Sequence, residues 1–287
     1  EKPLAMTAAE SADLLRIARD SGRVHAVNFN IRFYPLNQHV HDLVAAGGIG
    51  DVRLATGHYF QDWLLLETDW NWRLEPERGG QLRAVGDIGS HWLDLTTFLT
   101  GQPIVEVMAD LATFIPLRRQ PTGPVETFAA AQGDTVTREI GTEDMATILV
   151  RFANGARGAL SVSQLSPGRK NSLEYEIDGS SAAVAWDSEQ PDQLWIGHRE
   201  TANEILIRNP ALMGAAGQAA AARSGRACRR PAGHPATTPR SISAPICPDP
   251  IPRTSASTRS VSAPSRGAGA GGTLGAAPKA TGWPGTG

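Results

Sequence analysis

Residues 144–186 read DMATILVRFANGARGALSVSQLSPGRKNSLEYEIDGSSAAVAW, and this stretch decides the fold class. DMATILVRF and GALSVSQL alternate apolar and polar residues, the period of a strand with one face buried. Between them stands Asn154–Gly155, a pair that tolerates the left-handed backbone of a tight hairpin turn. LEYEI and AAVAW follow at short spacing, so the segment predicts a run of antiparallel strands.

Towards the N-terminus helical and extended patterns alternate. IVEVMADLATFI (104–115) reads as a strand and SHWLDLTTFLTG (90–101) as a helix closed by Gly101. DVRLATGHYF (51–60) reads as a strand and LNQHVHDLVAAGGIG (36–50) as a helix with a glycine-rich stop. The class expected is α+β, with a large, mostly antiparallel sheet and flanking helices. Before this domain, Thr7 and Glu10 make a capping box, Leu14, Ile17 and Ala18 a helical stripe, and Gly22 a C-terminal cap. VHAVNF (24–29) then reads as a strand. A helix that leads straight into a strand looks like the last unit of a βαβ series, so the chain is expected to be truncated at its N-terminus and its missing leader says nothing about export.

The C-terminal side has a different composition. Residues 214–287 hold nine Lys and Arg and one acid, Asp249, whereas residues 1–213 hold 18 basic and 28 acidic residues. The formal charge of −2 is therefore a cancellation, and bulk charge does not argue for nucleic-acid binding. The same 74 residues contain 10 of the 20 Pro and 12 of the 30 Gly, but only Trp283 of the 17 aromatics. Such a segment buries too little apolar surface to offset its chain entropy, so a disordered, low-complexity tail is expected over 214–287. Its Ala/Arg/Gly/Pro/Ser composition is what a GC-rich gene yields out of frame, and a genuine disordered linker is the competing reading. Gly267, Gly269 and Gly272 match the dinucleotide pattern G-x-G-x-x-G, but no strand precedes them and no acid follows, so the match is rejected. Cys228 and Cys247 both lie in this tail, which leaves the body without thiol chemistry and fits a cytoplasmic protein. No apolar run reaches about 18 residues, so no membrane helix is predicted.

The chemistry concentrates in GDIGSHWLDL (86–95). Asp87 and His91 are four residues apart across a helix start and face one side, with Asp94 three further on. Trp92, Leu95 and Leu99 make the apolar stripe on another face, which leaves His91 free of the core and able to shuttle a proton. The bland alternative has Asp87 capping the helix and His91 paired with Asp94 at the surface. The tryptophans at 63, 70 and 72 suit either sugar stacking or core packing. His39 and His41 point apart on a helix and have no third ligand, so no metal site is expected. Arg118–Arg119 and Arg169–Lys170 read as solvated pairs.

One ordered set of features goes further. EKP (1–3) is followed by a capped helix and by Asn30, Arg32, Phe33 and Pro35; then come Trp72–Arg73, a Gly–Gly pair and G-D-x-G-x-H-x-x-D. In this order they resemble the Gfo/Idh/MocA family of NAD(P)-dependent sugar and polyol oxidoreductases, over about residues 1–213. The resemblance implies that Lys2, Asp87 and His91 form the catalytic and substrate-binding group. It also implies that Lys2 and Arg73 approach an NAD or NADP cofactor, that the substrate is a small sugar or polyol, and that no metal is needed. It implies three regions: 1–33, the end of a Rossmann domain; 34–213, a substrate and oligomerisation domain; and 214–287, the tail. A member of the family carries a full Rossmann domain before EKP, so the chain as written is expected to bind cofactor poorly. The rival expectation is a non-catalytic sheet domain that only assembles homo-oligomers through its sheet.

Overall fold

The computed structural model describes residues 2–123 and 134–227. In chain order its elements are α1 (Ala8–Ser21), α2 (Pro35–Ala45), β1 (Leu54–Phe60), the one-turn α3 (Pro76–Gly79), α4 (Ser90–Thr100), β2 (Ile104–Ala112), β3 (Leu117–Pro121) and β4 (Thr135–Glu139). There follow β5 (Met145–Phe152), β6 (Arg157–Ser163), β7 (Ser172–Asp178), β8 (Ala183–Asp187), β9 (Gln193–Gly197), β10 (Glu204–Ile207) and α5 (Ala215–Ala227). Eight strands form one sheet in the order β10-β9-β8-β7-β1-β6-β5-β2, and β3 pairs with β4 in a second, two-stranded sheet. β1 runs parallel to β6, and the other neighbours in the large sheet are antiparallel. The class is α+β, with a large, mostly antiparallel sheet and flanking helices, as the strand alternation predicts.

The register explains why one face is packed and the other open. Trp186, Tyr175, Gly57, Leu160 and Ile148 stand in one cross-sheet row, and the side chains of that row are buried. One residue along, Trp195, Ala185, Glu176, Thr56, Ala159, Leu149 and Met108 form the next row, on the opposite face. There Leu149 is 50% and Met108 71% exposed. Against the closed face lie Leu36 and Val40 of α2 and Trp92, Leu95 and Leu99 of α4, all of them buried in a single core. Each such side chain is worth roughly 1.5–3 kcal/mol of burial.

Gly57 lets α4 approach this closely. A Cβ there would collide with the carbonyl oxygen of Glu174 and with Trp92 Nε1. In the gap so left, the Trp92 indole donates to that carbonyl at 3.0 Å. The hairpin between β5 and β6 turns at Gly155 with φ 89°, and Asn154 Oδ1 accepts from the N–H of Ala156 at 3.0 Å. α1 has its capping box, with Glu10 N–H bonded to Thr7 and a left-handed Gly22 at its end.

Three expectations need correction. Residues 24–29 form no strand, because no neighbouring strand among the described residues pairs with them. The boundary of the tail is misplaced, since residues 215–227 are helical and α5 packs on α2. Its first turn is held by α2: His39 Nδ1 accepts from the N–H of Gly214 and Asp42 Oδ2 from that of Ala216, both at 2.9 Å. Residues 228–287, including both cysteines and the rejected glycine pattern, lie outside the described residues. Arg118 is not solvated but wholly buried, pairing with Asp144 at 3.0 Å. Among the described residues no helix is long and apolar enough to cross a membrane.

Candidate active site

Asp87 lies in a widened π-turn, Val85–Gly89, that runs directly into α4. The N–H of Ser90 reaches back to the carbonyl of Val85, five residues earlier, which closes the turn. Asp87 therefore does not cap the helix, and its carboxylate is free for long-range partners. Lys2, 85 residues away, donates to Asp87 Oδ1 at 2.6 Å and also contacts its carbonyl oxygen. Arg73 Nε stands 3.2 Å from the same Oδ1. Gln164, just beyond the end of β6, donates its Nε2 hydrogen to Asp87 Oδ2 at 3.0 Å. Lys2 and Asp87 are 13% and 12% exposed, so the pair sits in a recess rather than on the surface.

His91 is one helical turn further on and is not free of the core, since only 8% of it is exposed. Trp92 carries its neighbour inward, and the imidazole is enclosed edge-on by Phe29 at 5.5 Å and Tyr59 at 6.1 Å. Nor does it pair with Asp94, which forms a two-pronged ion pair with Arg32. His91 Nδ1 is buried without a hydrogen-bond partner among the described residues. Burial first, and then the Lys2 cation, lower the imidazole to about 4 against the opposing pull of the Asp87 carboxylate. At neutral pH the ring is uncharged and able to accept a proton. Tyr59 is held in place by a 2.6 Å hydrogen bond to Asn171 Oδ1. Burial and then the charge of Asp87 raise its phenol, which stays protonated.

The four residues singled out from the sequence thus converge: Lys2 and Arg73 on Asp87, and His91 within reach of the Lys2 and Asp87 charges. Gln164, Phe29 and Tyr59 were missed. Gln164 carried one signal, because it continues the inward phase of Gly158, Leu160 and Val162 as a polar residue in a buried series. Trp70 follows the packing reading. Trp70 packs with Leu64, Leu74 and Ile140 in a small second core, whereas Trp72 is half-buried with the Arg73 guanidinium 4.5 Å over its ring. Among the described residues no cluster of ligands is set to hold a metal ion.

The model of the GFO/IDH/MocA C-terminal domain matches residues 37–185. Levoglucosan dehydrogenase of Pseudarthrobacter phenanthrenivorans is 31% identical over 198 residues, which is 68% of this chain and 50% of that protein. Among solved structures, an oxidoreductase domain protein from Kribbella flavida shares 33% identity with a TM-score of 0.65, over 75% of this chain and 57% of that one. A levoglucosan dehydrogenase in complex with NADH and levoglucosan shares 27% identity with a TM-score of 0.64, over 75% of this chain and 55% of that one. The chain spans about half the length of the curated relatives it matches. A family match over more than half its residues, on a sheet-and-helix fold shared with solved oxidoreductases, shows that this chain belongs to the GFO/IDH/MocA family.

Proposed function

We propose that the chain carries the substrate-binding and proton-transfer half of an NAD(P)-dependent dehydrogenase acting on a secondary alcohol of a small sugar or polyol. The observation that carries this reading is the meeting of Lys2 and Asp87 across 85 residues of sequence beside a buried, neutral His91. In this reading residues 1–33 close a cofactor-binding domain and the substrate domain begins at about residue 34. Support comes from α1, which buries none of its residues and leaves Leu14, Leu15 and Ile17 exposed.

The donor set fits a nicotinamide cofactor: Lys2 and Arg73 offer N–H groups at one edge of the recess, and the His91 Nδ1 has unused hydrogen-bonding capacity. Lys2 and Arg73 would hold its nicotinamide end, and the bound cofactor supplies the acceptor for the hydride that leaves the alcohol carbon. His91 takes the hydroxyl proton as that hydride departs. Lys2 donates to the same oxygen and stabilises its developing negative charge, in a recess where that charge is poorly screened. Asp87 holds Lys2 and Arg73 at a fixed separation and orients the substrate.

The test is a screen of levoglucosan, other sugars and inositols with NAD and with NADP, on the protein encoded by the complete gene. Turnover that falls about a hundredfold or more in His91→Ala supports the reading. Absence of turnover on every alcohol with both cofactors would overturn it.

The open face of the sheet, with Met108 and Leu149 exposed, favours a second role in self-association. That role is compatible with the enzyme and does not replace it.

A further inference from the structure

We propose that Gln164 is a positioning residue for this reaction: its buried amide fixes the rotation of the Asp87 carboxylate against which Lys2 is held. The inference rests on the dehydrogenase reading above for its kinetic consequence, though not for its geometry.

Gln164 is completely buried, and both ends of its amide are engaged. Oε1 accepts from Arg83 Nη1 at 3.1 Å, and Nε2 donates to Asp87 Oδ2 at 3.0 Å. Chemistry imposes this orientation. A guanidinium only donates, so the end of the amide that faces it is the oxygen, and the NH₂ is left for the carboxylate. Arg83 cannot swing away, since its Nη2 pairs with Asp144 and its Nε donates to Thr142 Oγ1 at 3.2 Å. Its own N–H is held by both oxygens of Glu143, at 2.9 and 3.0 Å. Asp144 is fixed in turn, accepting from the N–H groups of Phe114 at 2.6 Å and Ile115 at 2.8 Å. Burial alone would push the Asp144 carboxyl up, but the bond and charge of Arg83, the N–H of Ile115 and the Arg118 charge bring it below its ordinary value, so the anchor stays ionised.

The amide therefore stands on a rigid charged anchor between β2 and β5 and reaches one oxygen of Asp87. With Oδ2 taken, Oδ1 is the oxygen that meets Lys2 at 2.6 Å and Arg73 at 3.2 Å. The terminal torsion of an aspartate is broad and nearly two-fold. Without Gln164 the carboxylate can rotate, and Lys2 follows it. Misplacement of a reacting group by about 1 Å is enough to cost about a hundredfold in rate.

The kinetic test is a cycle on the full-length protein. Gln164→Leu is expected to lower kcat about tenfold or more with KM for the sugar nearly unchanged. In an Asp87→Ala background the same change is expected to do little, because the residue it positions is gone. Equal losses in both backgrounds, or unchanged kcat in Gln164→Leu, would overturn the proposal. Gln164→Glu supplies a signature that a purely structural role would not move. The introduced carboxyl faces Arg83 on one side and Asp87 on the other, and it can donate to Asp87 only when protonated. Its rate relative to wild type is expected to recover as pH is lowered, and a constant ratio counts against the proposal. This variant keeps the Arg83 contact and carries the test if Gln164→Leu does not fold.

A crystal structure of whichever variant folds gives a readout independent of turnover. Displacement of Lys2 from Asp87 Oδ1 supports the positioning role, and an unchanged pair overturns it. If wild type oxidises no alcohol, the dehydrogenase reading fails while this geometry still decides the role of Gln164.

Discussion

His91 combines two effects that usually act apart, loss of solvent and proximity of a cation, and both favour the uncharged ring. The acid limb of kcat/KM is accordingly expected near about 4, not near the 6.5 of a solvated imidazole, and a pH–rate profile measures it. A limb at 6.5 would show that His91 is not the group that must be neutral. The same depression links His91 to stability. The unfolded chain takes up the proton first as pH falls, so the contribution is complete above 6.5 and is lost progressively towards 4. It amounts to about 3 kcal/mol over that interval. Urea unfolding at pH 7.5 and 4.5 should show this loss in wild type and a smaller one in His91→Gln. At this scale Lys2, Asp87, His91 and Arg73 were legible in the sequence because an ordered motif set places them. Gln164 and Arg118 were not, since a polar side chain reads as solvated until a buried partner is known.

Among the elements, α4 and β1 depend most directly on a single residue. In Gly57→Ala the new Cβ would collide with the backbone of Glu174 and the indole of Trp92, in mid-sheet where neither can yield. A loss of about 1–3 kcal/mol is expected in urea unfolding, and an unchanged midpoint would contradict the close packing of α4 on β1. α5 depends on α2 through a pH-sensitive bond. His39 accepts from Gly214 only when its Nδ1 is unprotonated, and burial lowers its pKa against the opposing pull of Asp42. Docking is therefore complete above 6.5, the unfolded value, and weakens as pH falls below it. Protection factors for amide exchange in residues 215–227, each taken against the intrinsic rate at its own pH, are expected to fall between pH 7.5 and 5.5, and to lose that dependence in His39→Gln. The sequence pattern showed α2, α4 and the β5–β6 hairpin because apolar period and glycine stops agree there. It did not show α5, whose Ala-rich sequence has too weak a stripe, or the fate of 24–29, where a strand-like run has no strand to pair with.

For the molecule as a whole, the open sheet face is the surface to test for self-association. Leu149→Arg places a charge beside Met108 at the β5–β2 end of its exposed row and is expected to lower the mass measured by light scattering, with the fold unchanged by circular dichroism. An unchanged mass would assign the oligomer, if there is one, to another surface. The sequence by itself determined the class of fold, the place of the hairpin turn and the residue types of the candidate site, because period, turn chemistry and motif order are local properties of the chain. The tertiary structure alone decided that Lys2 reaches Asp87, that His91 is buried between Phe29 and Tyr59, and that Gln164 joins Asp87 to the Arg83–Asp144 anchor. Those contacts join groups far apart in the chain, and the burial that makes them strong exists only once the sheet and α4 have closed on one another.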